Sequence, residues 1–113
     1  MATIYHNPRC SKSRETLSIL EEQNEDITIV KYLDTLFTEE ELSKVIQLLG
    51  ISPIELVRKN EAIWKENYKG KTFTDQELIT ILCKNPKLIE RPIVIKGDKA
   101  IIGRPPQKVI DIL

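Results

Sequence analysis

The first 32 residues carry the pattern that most restricts the fold. Thr3 to His6 alternates small, apolar and aromatic residues and predicts a short strand, which Asn7-Pro8 breaks. From Ser11, the apolar positions Leu17, Ile19 and Leu20 predict a helix running to about Gln23, with Ser11 placed to cap it. Ile27-Thr28-Ile29-Val30-Lys31-Tyr32 is β-branched and predicts a second strand. Two strands joined by such a helix must pair in parallel, because only a crossover returns the chain to the same edge. The chain is therefore expected to be α/β.

Three capping boxes punctuate the middle. Thr38-Glu39-Glu40-Glu41 opens a helix with the stripe Leu42, Val45, Ile46 and Leu49, ended by Gly50. Ser52-Pro53-Ile54-Glu55 opens a short helix that Leu56 and Val57 continue. Ala62, Ile63 and Trp64 suggest a further turn or two. Thr74-Asp75-Gln76-Glu77 opens a third helix, with Leu78, Ile81 and Leu82 buried and Asn85-Pro86 as its stop. The period then changes. Ile93-Val94-Ile95 and Ala100-Ile101-Ile102 form a hairpin around Gly97-Asp98, and Val109, Ile110, Ile112 and Leu113 predict a terminal helix. The order is βαβ, a helical insertion at about 38–90, then ββα. With 113 residues there is room for one domain, 1–113.

Charge narrows the function classes. Lys+Arg and Asp+Glu each number 17, which disfavours a nucleic-acid binder. No apolar run reaches the roughly 20 residues of a membrane span, and no signal peptide is visible, so a cytoplasmic protein with no membrane partner is expected. Two cysteines, Cys10 and Cys83, with a single histidine exclude a four-ligand zinc site, and no metal is expected. In a reducing compartment both cysteines read as thiols first.

Cys10 is the candidate nucleophile. It lies between a strand end and a helix start, where backbone amides favour an anion and lower a thiol pKa. Arg9, Lys12 and Arg14 are expected to act in the same direction by charge. The alternative is an inert buried cysteine. Ser13 stands where a Cys-x-x-Cys motif would carry its second thiol, so a resolving thiol must come from Cys83 or from another molecule. Cys83, beside Leu82 at apolar spacing, reads as a core or half-buried thiol. His6 reads as tuning the thiol or packing at the strand end rather than as a protease base. Arg91-Pro92 and Gly103-Arg104-Pro105 flank the hairpin and can share one end of the sheet. They suit a tetrahedral oxyanion, or else surface ion pairs with Glu90 or Asp111.

Four motifs carry a resemblance: His6-Asn7-Pro8-Arg9-Cys10-Ser11-Lys12-Ser13-Arg14, Leu56-Val57-Arg58-Lys59-Asn60, Glu90-Arg91-Pro92-Ile93-Val94 and Gly103-Arg104-Pro105-Pro106. In this order and spacing, from Ile4 to Leu113, they resemble the glutaredoxin-linked arsenate reductase family. The resemblance implies a thioredoxin-like fold with an inserted helical subdomain. It implies that Cys10 attacks arsenate and forms a covalent adduct, which glutathione as co-substrate displaces and glutaredoxin reduces to arsenite, with no bound cofactor. It also implies that Arg58, Arg91 and Arg104 bind the oxyanion, that His6 tunes the thiol, that Ser13 and Arg14 support the loop, and that Pro92 is the cis-proline. Ser11-Lys12 departs from the Gly-Thr of well-established members and is similar to a less characterised branch. A monomer is the default. Two other functions fit the same fold: a redox-responsive regulator binding RNA polymerase, for which Ser13 removes the usual dithiol switch, and a thiol oxidoreductase acting on glutathionylated proteins.

Overall fold

The computed structural model describes residues 2–23 and 25–113. The chain forms two compact units, one built from Met1–Thr35 and Arg91–Leu113, the other from Leu36–Glu90.

Among the described residues, the first unit holds four strands. These are β1 (Ala2–Tyr5), β2 (Ile27–Val30), β3 (Ile93–Lys96) and β4 (Lys99–Ile102), ordered β2-β1-β3-β4. β1 and β2 pair in parallel, as their connection through helix α1 (Ser11–Glu22) demands. β3 is antiparallel to both β1 and β4. Gly97 takes φ +63° in the two-residue turn joining β3 to β4, a conformation that favours glycine.

The core under the sheet is Ala2, Ile4, Leu20, Val94, Val109 and Ile112, with Leu17, Ile19, Ile27, Ile101 and Leu113 packed around it. Ala2 and Ile4 are alternate residues of a central strand, so both face that core. The helix expected at the end of the chain is a 3-10 helix, Pro106–Ile112. Its buried residues, Pro106, Val109 and Ile112, recur every third position, which is the 3-10 period.

The second unit is helical: α2 (Glu39–Leu49), a 3-10 turn at Pro53–Leu56, α3 (Ala62–Asn67), α4 (Asp75–Lys84) and a 3-10 turn at Pro86–Leu88. The Thr38, Ser52 and Thr74 capping boxes all form. Gly50 ends α2 in the left-handed region at φ +68°. α4 packs on α2 and on both 3-10 turns. Two sequence expectations are corrected. Val57 is extended and bridges Ile89 instead of continuing the helix. Ile79 joins Leu78 and Leu82 in the buried stripe of α4, while Ile81 is half-buried. Trp64, Tyr68 and Phe73 form a mutual aromatic cluster with centroids 5.6–6.2 Å apart. Among the described residues no helix is long and apolar enough to cross a membrane.

Candidate active site

Strand register decides which loops meet. Tyr5 pairs with Ile93, and Ile93 pairs with Ile102. The segments after β1, before β3 and after β4 therefore leave the sheet at one end. Those segments carry Cys10, Arg91-Pro92 and Gly103-Arg104.

The loop after β1 is held by its own backbone and by three side chains that bond back onto it, Asn7, Ser13 and Arg14. The His6 amide donates to Val30 O (2.8 Å), prolonging the parallel ladder by one residue. Proline then sits inside a turn closed by the Cys10 amide donating to Asn7 O (3.0 Å). The Arg9 amide donates to Asn7 Oδ1 (3.0 Å), an Asx turn that fixes the same bend. Arg14 Nη1 donates to Pro8 O (3.1 Å). Ser13 is fully buried, and its hydroxyl accepts from the Asn7 amide (3.0 Å) and lies 2.6 Å from His6 Nδ1. Burial, then the charges of Lys31 and Arg14, hold the His6 imidazole below its usual value, so it is neutral near pH 7.

The geometry puts Cys10, not Ser11, at the N-cap of α1, with extended backbone at φ −95° and ψ 122°. Cys10 is 8% exposed, and this burial alone pushes its pKa up. The Ser13 amide, the Arg91 guanidinium by hydrogen bond and by charge, and the Lys12 amide together outweigh it, and the thiol lies below its ordinary value. The two amides face the sulfur without closing a regular cap hydrogen bond. Arg104 Nη2 lies 3.8 Å from Cys10 Sγ, and its Nε donates to Arg91 O (2.8 Å). Two guanidinium groups from distant parts of the chain thus converge on one sulfur. The expected charge effect of Arg9, Lys12 and Arg14 is corrected: Arg14 is spent on a backbone carbonyl, and Lys12 acts through its amide.

Both the Arg91–Pro92 and the Arg104–Pro105 peptide bonds are cis, the second without any sequence cue. Arg58 lies in the helical unit, where its amide donates to Leu88 O (2.7 Å) and its Nε approaches Glu61 Oε1 (3.4 Å). Cys83 is half-buried on α4. Burial, then Glu39 and Glu41, push its pKa up, the opposite of what a resolving thiol needs.

Sequence reasoning read Asn7 only as part of a strand break and gave Gly103 no role of its own. Asn-Pro before a cysteine is a visible turn signal. Gly103 carried none. A Cβ there would lie 2.6 Å from Thr16 Oγ1 and 2.9 Å from Pro92 Cγ, so α1, the Pro92 loop and the Arg104 loop meet at a point with no room for a methyl group. Gly103→Ala is expected to cost about 1–3 kcal/mol in denaturant unfolding through overpacking. Adding Thr16→Ala should recover part of that loss. Equal stability of Gly103→Ala and the parent would refute the tight contact.

A model of the ArsC family matches residues 5–112. The chain belongs to the ArsC family. It is 46% identical over 112 residues to "Uncharacterized protein YfgD" of Escherichia coli (strain K12), an alignment covering 97% of this chain and 94% of that one. It is 43% identical to an arsenate reductase of Haemophilus influenzae, with 97% of each chain covered. A solved structure of an arsenate reductase from Vibrio cholerae matches with a TM-score of 0.95 and 44% identity, over 99% of this chain and 97% of that one. The ArsC match bears out the thioredoxin-like α/β fold implied by the sequence motifs.

Proposed function

We propose that this ArsC-family chain reduces arsenate to arsenite through a covalent adduct on Cys10, with glutathione and glutaredoxin supplying the two electrons. The observation that carries the reading is the convergence of Arg91 and Arg104 on a buried sulfur whose pKa is held down. A thiolate nucleophile and guanidinium groups around it are what attack on an anionic tetrahedral centre requires. The arsenate reductases of similar sequence support the choice of oxyanion.

In this scheme Cys10 Sγ displaces one hydroxyl of arsenate, which leaves as water, and arsenic keeps its oxidation state. Glutathione thiolate displaces a second hydroxyl, again lost as water. A glutaredoxin thiolate then attacks the glutathione sulfur. A mixed disulfide forms, and the arsenic–sulfur electron pair falls to arsenic, reducing it by two electrons. Hydrolysis frees arsenite and restores the Cys10 thiol. Arg91 and Arg104 hold the oxyanion and its leaving hydroxyl, the role that the sequence motif also assigns to Arg58. His6, Ser13 and Arg14 keep the loop in place, and the cis-proline Pro92 packs against Gly103 beside the Arg104 segment. The reaction uses no bound cofactor and suits a monomer in the reducing cytoplasm.

The test is arsenate-dependent NADPH oxidation coupled through glutathione, glutathione reductase and glutaredoxin. Arsenate-dependent turnover is expected. Arg104→Ala should raise KM for arsenate about tenfold, the loss of one charge-assisted contact, and should shift Cys10 alkylation to higher pH. Absence of turnover by folded protein with a reactive Cys10 would overturn arsenate as substrate and favour glutathionylated proteins.

A further inference from the structure

The register that builds the thiol loop also builds a cavity beside it. Tyr5 pairs with Val30, so residues 6–9 and the turn after β2 leave the sheet side by side. That turn is ordered, with the Asp34 and Thr35 amides both donating to Lys31 O (3.0 and 2.9 Å). Between the two segments lies a cavity of about 330 Å³, bounded by residues 6–9 and by Lys31, Leu33 and Asp34. This is within the range of small-molecule sites.

Its charges are arranged unusually. Arg9, Lys31 and Asp34 line it together, and among the described residues none of the three is in an ion pair. The proposed mechanism uses none of them. His6 joins the wall with Nδ1 already committed to Ser13, which leaves Nε2 as its remaining polar atom. Leu33 and Pro8 add apolar surface. A bare oxyanion would suit the two cations but not the carboxylate. A ligand with two carboxylates and one ammonium suits all three.

We propose that this cavity binds the peptide portion of glutathione, its two carboxylates on Arg9 and Lys31 and its ammonium on Asp34, beside the loop that ends in Cys10. The tripeptide has that charge set and carries its thiol on the residue between its two carboxylate ends. The assignment rests on the reading that glutathione is the co-substrate, and it names where that co-substrate is held.

The experiment compares two disulfides as partners of the Cys10 thiolate, without arsenate. Attack on glutathione disulfide leaves glutathione on Cys10 and releases glutathione thiolate; attack on hydroxyethyl disulfide is the same chemistry with no charges on the partner. The double variant Arg9→Gln/Lys31→Gln should react about fivefold more slowly with glutathione disulfide, from two exposed charge contacts, and at the parent rate with the neutral disulfide. Salt should erase the parent's advantage. In NMR titration, S-methylglutathione should shift the amides of His6, Asn7, Arg9 and residues 31–34. Equal slowing toward both disulfides, no slowing, or shifts confined to Arg91 and Arg104 would overturn the site. A failed arsenate assay with the charge-dependent preference intact would sink the arsenate reading and leave the site standing.

Discussion

Cys10→Ser is expected to lose turnover by a factor on the order of 10⁴ or more, while keeping the fold intact. The two halves of that expectation have separate causes. The sulfur owes its reactivity to ionisation, which the Lys12 and Ser13 amides and the Arg91 guanidinium support against burial. A serine hydroxyl in the same place stays protonated at neutral pH, and the arginines have no anion there to stabilise. The N-cap position, by contrast, suits serine better than cysteine, because a hydroxyl can accept from the free amides of the first turn. Stability should therefore be unchanged or rise by about 1 kcal/mol. The measurement pairs the coupled assay with thermal unfolding. A variant retaining a hundredth of the parent rate would remove Cys10 as nucleophile. A variant that also unfolds early would remove the cap argument.

Ser13→Ala is the larger structural lesion. The hydroxyl is fully buried and serves two groups, the Asn7 amide at 3.0 Å and His6 Nδ1 at 2.6 Å. Truncation leaves both without that partner in a site where water is scarce. Each stranded group costs about 1–3 kcal/mol, so a loss of about 2–6 kcal/mol is expected. At about 4 °C per kcal/mol for a domain of this size, Tm should fall by roughly 8–24 °C. The Ser13 amide that faces the sulfur remains, so the pH midpoint of Cys10 alkylation should move less than in Arg104→Ala. Ser13→Cys, which restores a weak hydrogen-bonding group, should recover part of the stability. A Tm within 3 °C of the parent would show that the two bonds are worth little.

Local patterns in the chain proved readable. The three capping boxes depend on residues three apart, and all three form where the sequence places them. Parallel pairing of β1 and β2 followed from the length of their connection. The shared location of the Arg91 and Arg104 segments followed from a hairpin that returns the chain to the same edge. Long-range choices were not readable. Charge counting favoured the arginines nearest Cys10 in sequence, yet a guanidinium four residues away is drawn to Pro8 O, whereas those reaching the sulfur come from the other end of the chain. Gly103 is constrained by a side chain on α1 that no spacing rule connects to it. The terminal 3-10 helix did leave a trace, since Pro106, Val109 and Ile112 repeat every three residues, but Ile110 and Leu113 blur it into a helical stripe.

The contact between Cys10 and Arg104 spans 94 residues. A ribosome emits the cysteine 94 residues before the arginine. Until then the nascent thiol lacks Arg91, Arg104 and the partner strand β3, and keeps only the help of its own helix amides. The chain therefore passes through the synthesis of all those residues with its nucleophile unarmed, and full reactivity arrives only when the β3–β4 hairpin closes over the first strand.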